Sequence, residues 1–268
     1  MGELLIVGTP IGNLKDISLR ALDALKSADF ILCEDTRHSR ILLDAYGIEK
    51  PLVSYHMHNE RERAAEITEL LAGDKTAALI TDAGMPCISD PGAVLVNEAR
   101  KQNIKISVIP GPSAVTAAAA LVGLTEHGFM FLGFIPDKTS DKTAFLEKYK
   151  SFDLPLIFYS APHDVQSDLK ALHAAYGKRR VRTVKEITKI HETEEEGFLG
   201  EFIPSDLRGE FVLIVDGAEF SNPLNSLSVR DHAAHYVSLG FSKMDAAKQT
   251  AADRGISKKE VYPFTIDL

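Results

Sequence analysis

Near its start the chain reads Leu4-Leu5-Ile6-Val7-Gly8-Thr9-Pro10-Ile11-Gly12-Asn13-Leu14. The run of apolar residues predicts a buried strand, and the glycines and proline after it predict a loop. In α/β domains a glycine-rich loop after the first strand brings backbone amides to a ligand, although the same residues also suit a plain tight turn. The loop lacks the GxGxxG pattern of dinucleotide sites and the Lys-Ser/Thr of P-loops, which disfavours nicotinamide and ATP as ligands.

Further apolar runs alternate with helical patterns along the first half of the chain. Helical patterns carry Leu19, Leu22 and Leu25, start after Asn59 as N-cap, and start again at Ala93. Strands are predicted at 4–7, 30–33, 52–54, 77–81 and 104–109. This alternation predicts a parallel α/β domain, which we assign to residues 1–115.

The alternation restarts after a helix that begins near Ser113 and ends by Gly123. Strands are predicted at 129–132, 156–159, 181–187 and 211–215, and helices at 141–149 and 165–176. We assign them to a second α/β domain, 116–219, in which the glutamates of 192–196 predict an exposed loop.

The remaining residues, 220–268, predict a small helical segment. Its helices are broken at Gly240 and Gly255, with Ser242 and Ser257 as N-caps. The segment resembles a helix-turn-helix, but Lys258, Lys259 and Glu260 are few side chains for reading DNA bases. We therefore expect no DNA partner.

Composition limits the class of protein. The 268 residues are 45% hydrophobic and 25% charged, as in an average soluble globular protein. No run approaches the roughly 18 apolar residues that span a bilayer, so no membrane association is expected. Two cysteines are too few for a disulfide framework, which favours the cytoplasm. The net charge of −8 disfavours a protein that coats nucleic acid, yet it allows a local basic patch.

Two more loops follow predicted strands of the first domain. The loop at 81–92 holds two glycines, two prolines and two aspartates, and the loop at 110–114 opens a helix at Ser113. Such loops lie at the carboxyl ends of parallel strands, where α/β sheets bind ligands. With the first loop they predict one shared crevice, although three ordinary turns remain an alternative.

Polar clusters follow the second and third strands, at 34–39 and 56–60. The histidines His56 and His58 have no third metal ligand at suitable spacing, so no metal site is predicted. Substrate contact or proton transfer suits groups that titrate near neutral pH, while capping of the helix at Asn59 is the structural alternative.

A basic run lies in the second domain. Its six cations are opposed there by Glu186 alone. Such a run is either a solvated face or a contact for nucleic-acid phosphates. Its members are Lys178, Arg179, Arg180, Arg182, Lys185 and Lys189.

Taken together, these motifs resemble the ribosomal RNA small subunit methyltransferase I family of the tetrapyrrole-methylase-like superfamily. The resemblance runs from Leu4 to about Gly217. It is carried by the first loop and by Glu34-Asp35-Thr36-Arg37, His58-Asn59-Glu60, Asp82-Ala83-Gly84, Ser89-Asp90-Pro91-Gly92, Pro110-Gly111-Pro112-Ser113-Ala114, Gly133-Phe134, Glu186-Ile187-Thr188-Lys189 and Gly209-Glu210. Met85, Ser160, Asp164 and Lys185 depart from the family's usual residues.

The resemblance implies two α/β domains with S-adenosylmethionine in the cleft between them, a small helical C-terminal segment, and a homodimer. It implies 2′-O-methylation of cytidine 1402 of 16S ribosomal RNA in the small ribosomal subunit. The implied cofactor-binding residues are Pro10, Asp82, Ala83, Gly84, Ser113, Ala114, Phe134 and Tyr159.

The reaction needs a positioned base to take the proton of the hydroxyl group. The sequence leaves this base open among Glu186, Asp35, His38 and His58. We favour Glu186, since it follows the basic strand. If it is the base, Glu186→Gln slows methylation without loss of cofactor binding. Predicted RNA contacts are Arg37, Arg179, Arg180, Arg182, Lys185 and Lys189.

Two other functions fit the same sequence. One is a related methyltransferase that acts on a tetrapyrrole or a protein side chain. The other is a non-catalytic module that binds RNA or ribosomes. Transfer of a methyl group into small-subunit RNA is expected only for the function that the resemblance implies, and for neither of these two.

Overall fold

A computed structural model describes residues 2–124, 128–218 and 222–268. The chain divides into two compact units, Met1–Ala218 and Glu219–Leu268. The first unit holds two sheets. The predicted boundary between residues 115 and 116 within it stays a prediction, and the one between 219 and 220 lies outside the described residues.

The first sheet contains five parallel strands in the order β3-β2-β4-β1-β5. The strands are β1 (Glu3–Val7), β2 (Phe30–Cys33), β3 (Leu52–Ser54), β4 (Thr76–Leu79) and β5 (Lys105–Ile109). The helices are α1 (Leu19–Ser27), α2 (Thr36–Ala45), α3 (Glu60–Ala72), α4 (Ala93–Lys101) and α5 (Ala114–Leu121). Separate apolar clusters cover the two faces of the sheet, which is why its inner strands are apolar throughout. The predicted parallel α/β arrangement is confirmed.

Helix α2 was not predicted from the sequence. Its N-cap is Asp35, whose carboxylate accepts a hydrogen bond from the Arg37 amide at 2.8 Å. The residues that read as a polar cluster are therefore the capped start of a helix.

The second sheet is mixed, with the order β6-β7-β10-β8-β9. Its strands are β6 (Met130–Phe134), β7 (Leu156–Ser160), β8 (Arg180–Lys185), β9 (Thr193–Phe198) and β10 (Phe211–Val215), accompanied by α6 (Thr139–Tyr149) and α7 (Val165–Tyr176). Strands β6 and β7 pair in parallel, and the other pairs are antiparallel. Helix α5 packs its apolar face on this sheet, against Ile157, Val184 and Val212.

The predicted loop at 192–196 is wrong, because residues 193–198 form the edge strand β9. One of its glutamates, Glu196, pairs with Arg180 and Arg182 on β8, and another, Glu195, accepts hydrogen bonds from Ser205. Arg180 donates to both carboxylate oxygens of Glu196 at 2.8 Å. Cross-strand ion pairs of this kind stabilise a strand whose own residues have low strand propensity.

The second unit is helical, as predicted, with α8 (Val229–Ser238), α9 (Lys243–Arg254) and α10 (Lys258–Val261). Ser242 and Ser257 are N-caps, and Gly255 ends α9 at φ +61°. Asp253 of α9 accepts hydrogen bonds from Tyr236 and contacts the buried ring of His232 at 3.1 Å, which fixes α8 against α9.

Within the described residues, no helix is both long and apolar enough to cross a membrane.

Candidate active site

The three predicted ligand loops follow the neighbouring strands β4, β1 and β5, and direct hydrogen bonds join the first two. The Thr9 amide donates to the Gly84 carbonyl at 2.9 Å, and the Gly84 amide donates back to Thr9 at 3.2 Å. The Thr9 hydroxyl donates to the Thr81 carbonyl at 3.1 Å. These contacts hold the first two loops as one rigid unit.

The first and third loops touch through two glycines. A Cβ atom on Gly111 would lie 2.8 Å from both Cα and the carbonyl carbon of Gly8. A Cβ atom on Gly8 would lie 2.7 Å from Cα of Gly111. Real side chains do not approach a backbone this closely, so both positions need glycine for the loops to meet.

These loops form one side of a cavity of about 320 Å³, and the second sheet forms the other. The loop side includes Ile11, Asp82, Ala83, Gly84, Met85, Ile88, Ser89, Asp90, Ser113 and Ala114. The opposite side includes Phe134, Tyr159, Ser160, Ala161, Pro162, Val184, Glu186, Ile187, Lys189, Glu210, Phe211 and Val212. The predicted crevice is thus present in the first compact unit.

An aromatic pair lines the second-sheet side. The rings of Phe134 and Tyr159 meet edge to face with their centroids 5.5 Å apart. The Tyr159 hydroxyl accepts a hydrogen bond from the Val115 amide at 3.2 Å, which ties β7 to the start of α5. Such a wall offers aromatic, largely apolar surface against which a heterocycle can pack.

Asp82 supplies a buried acceptor without a donor. Its Oδ1 is inaccessible to solvent and has no hydrogen-bond partner in the described part of the chain. Because an unpaired buried acceptor costs about 1–3 kcal/mol, its retention in a cavity indicates a ligand that donates to it.

A second aspartate of the same loop, Asp90, also lines the cavity. Burial, followed by the negative charges of Glu34 and Asp82, raises the pKa of Asp90 to about 7. Burial and the charge of Asp82 likewise raise the pKa of Glu34. Asp90 is not among the site residues predicted from the sequence, although its place in the same loop as Asp82 is a signal that could have placed it in the cavity wall.

Glu186 lies in the cavity wall, but two neighbouring residues hold its carboxylate. Its Oε1 accepts from Lys189 Nζ at 2.8 Å and from the Glu210 amide at 2.9 Å. Burial raises the pKa of Glu186, but these hydrogen bonds and the charge of Lys189 outweigh it, so the net pKa is lowered. The residue has φ +52°, a left-handed conformation that is uncommon for non-glycine residues and is enriched at functional sites.

Of the predicted site residues, nine line the cavity: Asp82, Ala83, Gly84, Ser113, Ala114, Phe134, Tyr159, Glu186 and Lys189. Pro10 is buried and does not line the cavity, but it directly precedes the lining residue Ile11 in the chain. Three candidate bases, Asp35, His38 and His58, are not among the lining residues. Asp35 instead binds Arg37, whose hydrogen bonds lower the pKa of Asp35 to about 2.

The basic run is neutralised by carboxylates that the sequence did not place near it. Five of the six cations form an ion pair, and Arg179 donates to the Lys150 carbonyl and stacks on Tyr176. The pairs are Lys178–Glu201, Arg180–Glu196, Arg182–Glu196, Arg182–Asp216, Lys185–Asp206, Lys189–Glu186 and Lys189–Glu210. An RNA phosphate would have to displace a carboxylate at most of these positions.

Across the residues that the structure describes, no group of three or more His, Cys, Asp or Glu side chains could hold a metal ion.

A family model described as Tetrapyrrole (Corrin/Porphyrin) Methylases matches residues 3–203. Proteins named Ribosomal RNA small subunit methyltransferase I are similar over nearly the whole chain. The Halalkalibacterium halodurans protein is 40% identical over 270 residues, covering 97% of this chain and 93% of that protein. The Bacillus subtilis protein is 39% identical over 272 residues, covering 98% and 93%. The chain belongs to the ribosomal RNA small subunit methyltransferase I family.

Solved structures confirm the tetrapyrrole methylase fold for this methyltransferase family member. A diphthine synthase structure has a TM-score of 0.62 at 16% identity and covers 81% of this chain and 90% of its own. The methyltransferase CobJ has a TM-score of 0.61 at 20% identity and covers 81% and 95%. The resemblance drawn from the loop motifs is confirmed.

Proposed function

We propose that this protein transfers a methyl group from S-adenosylmethionine to the ribose 2′-hydroxyl of cytidine 1402 of 16S ribosomal RNA in the small ribosomal subunit. The observation that carries the proposal is the cavity between the loops and the second sheet, in a chain whose relatives are named for methylation of small-subunit RNA. A homodimer in the cytoplasm is part of the same proposal.

The cavity residues fit the cofactor. A volume of about 320 Å³ lies within the range of roughly 300–1,000 Å³ for small-molecule sites. Asp82 would accept a hydrogen bond from an amine or hydroxyl group of the cofactor, and its buried Oδ1 would then have a donor. Phe134, Tyr159 and Ala114 would cover the adenine and keep water from the site.

When bound, the cofactor supplies an electrophilic methyl group on a sulfonium. The protein's task is then alignment and removal of one proton. The loops, joined by Thr9, Gly84 and the Gly8–Gly111 contact, provide a rigid side against which both reactants are oriented. Orientation of this kind can contribute about 7–11 kcal/mol to a rate enhancement.

Methyl transfer from tritiated S-adenosylmethionine tests the proposal. The acceptors are small subunits, and naked 16S RNA, from cells that lack this protein. We expect label in the RNA and a ribose methyl group at cytidine 1402 by mass spectrometry of nuclease fragments. RNA that is bound but unlabelled would indicate a binding module, and label in protein or in a tetrapyrrole would indicate a related methyltransferase.

Asp82→Ala is expected to weaken S-adenosylmethionine binding about 10- to 100-fold, because a hydrogen bond to a charged group contributes about 1.5–3 kcal/mol. Isothermal titration calorimetry measures the affinity. The control is Asp44→Ala, the same change at an exposed position of α2. Equal affinity of the Asp82 variant and the wild type would contradict the assignment of Asp82 to the cofactor.

A further inference from the structure

We propose that Asp90 is the group that takes the proton from the hydroxyl being methylated. The inference rests on the proposed function and adds the identity of the base. It replaces our preference for Glu186 with a residue that the sequence alone did not single out.

The position of Asp90 satisfies the first requirement of a base, which is access to the substrate with free acceptor atoms. The side chain lines the cavity and is partly shielded from solvent. In the described part of the chain it has no hydrogen-bond or ion-pair partner. Both carboxylate oxygens are therefore available to a hydroxyl that enters the cavity.

The other candidates lack one of these properties. Glu186 already accepts hydrogen bonds from Lys189 and from the Glu210 amide, so capture of a proton there would weaken an existing ion pair. Asp35 is bound to Arg37, and it lies outside the cavity lining together with His38 and His58. Asp82 has its free oxygen buried, which suits a fixed contact with the cofactor.

The surroundings of Asp90 also set its proton affinity near the working pH. Glu34 from the end of β2 and Asp82 from the same loop repel its charge, while Cys87 and Tyr159 face it as neutral groups whose own pKa values are raised. With burial, these like charges bring the pKa of Asp90 to about 7. A base is most effective when its pKa lies near the operating pH.

The step balances without another reactant. The hydroxyl proton passes to a carboxylate oxygen of Asp90 as the new oxygen–carbon bond forms. The carbon–sulfur bond breaks, and its electron pair stays on sulfur. Asp90 then releases the proton to solvent, which a group of pKa about 7 does readily at neutral pH.

The main test compares Asp90→Asn with the wild type and with Asp44→Asn, in single turnovers on small subunits at saturating S-adenosylmethionine. Loss of a positioned base is expected to lower the rate about 10²- to 10⁴-fold. The dissociation constant for S-adenosylmethionine, measured by calorimetry, should change less than about twofold, because Asp90 acts on the acceptor hydroxyl. The Asp44 variant should match the wild type in both measurements.

The dependence of the rate on pH gives a second, independent test. The wild-type rate should rise tenfold per pH unit up to an apparent pKa near 7 and then level off, since the deprotonated carboxylate is the active form. Glu34→Gln removes a like charge, lowers the pKa of Asp90 and should shift the rising limb to lower pH with the plateau retained. Carbon-13 NMR of the aspartate carboxyls should show a group that titrates near pH 7 and is missing from Asp90→Asn.

Three results would overturn the inference while leaving the proposed function intact. The first is an Asp90→Asn protein with the single-turnover rate of the wild type. The second is an Asp90→Asn protein that loses affinity for S-adenosylmethionine but keeps the wild-type rate when the cofactor is saturating. The third is a pH–rate profile of Glu34→Gln whose rising limb lies at the same pH as that of the wild type. The last applies even if Asp90→Asn does not fold. Absence of ribose methylation by the wild-type protein would instead overturn the proposed function, and this inference with it.

Discussion

Gly111→Ala is expected to lower the free energy of unfolding by about 3 kcal/mol and to slow methyl transfer about 10²-fold. The added Cβ would lie within 2.9 Å of three backbone atoms of Gly8. Overpacking typically costs about 1–3 kcal/mol, and the upper end applies here because a backbone cannot swing aside as a side chain can. Displacement of the loops by about 1 Å is enough for the loss of rate.

Denaturant unfolding and single-turnover methylation measure these two effects. Gly73→Ala is the control, since its Cβ would meet nothing closer than 3.5 Å and its φ is −84°. A Gly111→Ala protein as stable and as active as the control would show that the first and third loops do not need to touch.

Asp168→Ala is expected to lower the free energy of unfolding by about 3–5 kcal/mol. The carboxylate of Asp168 is 4% exposed, accepts from Lys142 Nζ at 3.1 Å and accepts from the Ser160 hydroxyl at 2.7 Å. Removing one partner of a buried ion pair leaves an uncompensated charge, here the ammonium of Lys142, which is 17% exposed. Ser160 lines the cavity, so cofactor binding should weaken as well.

Chemical denaturation checks the Asp168 prediction, with the exposed Asp44→Ala as the matched control. The double variant Lys142→Met/Asp168→Leu should recover most of the lost stability, because apolar residues of similar volume often replace a buried pair without loss. If the double variant is as unstable as Asp168→Ala, lost volume or the Ser160 contact, and not the stranded charge, explains the effect.

Regular elements were the most predictable part of this protein. Strand β10 and helix α7 lie where the sequence placed them, at 211–215 and 165–176, because long apolar or amphipathic patterns leave few alternatives. Strand β9 escaped prediction because contacts that form only on folding hold its glutamates. Glu196 pairs with Arg180 and Arg182 on the neighbouring strand, and Glu195 accepts hydrogen bonds from Ser205. Helix α2 escaped because its capping aspartate reads equally well as a catalytic group.

For the candidate site, the sequence predicted which loops come together but not which charged side chains form ion pairs. Asp82, Gly84 and Ser113 could be placed in one crevice because parallel strands bring their following loops to one edge. The ion pairs of the basic run could not be predicted from the sequence, since Asp206 and Asp216 lie 20 or more positions away from their partners Lys185 and Arg182. The sequence alone does not show whether a charged side chain has a partner of opposite charge in the folded protein.

The amino-acid sequence by itself determined the alternation of strands and helices, the three loops and the family, because periodicity and short motifs are local properties of the chain. Tertiary structure alone decided which groups are paired and which are free. It brought Glu34 towards Asp82 and Asp90, and it placed the Glu210 amide where it donates to the Glu186 carboxylate. Charge interactions depend on distance and burial in space, and residues far apart in the chain reach those distances only when the sheets are assembled.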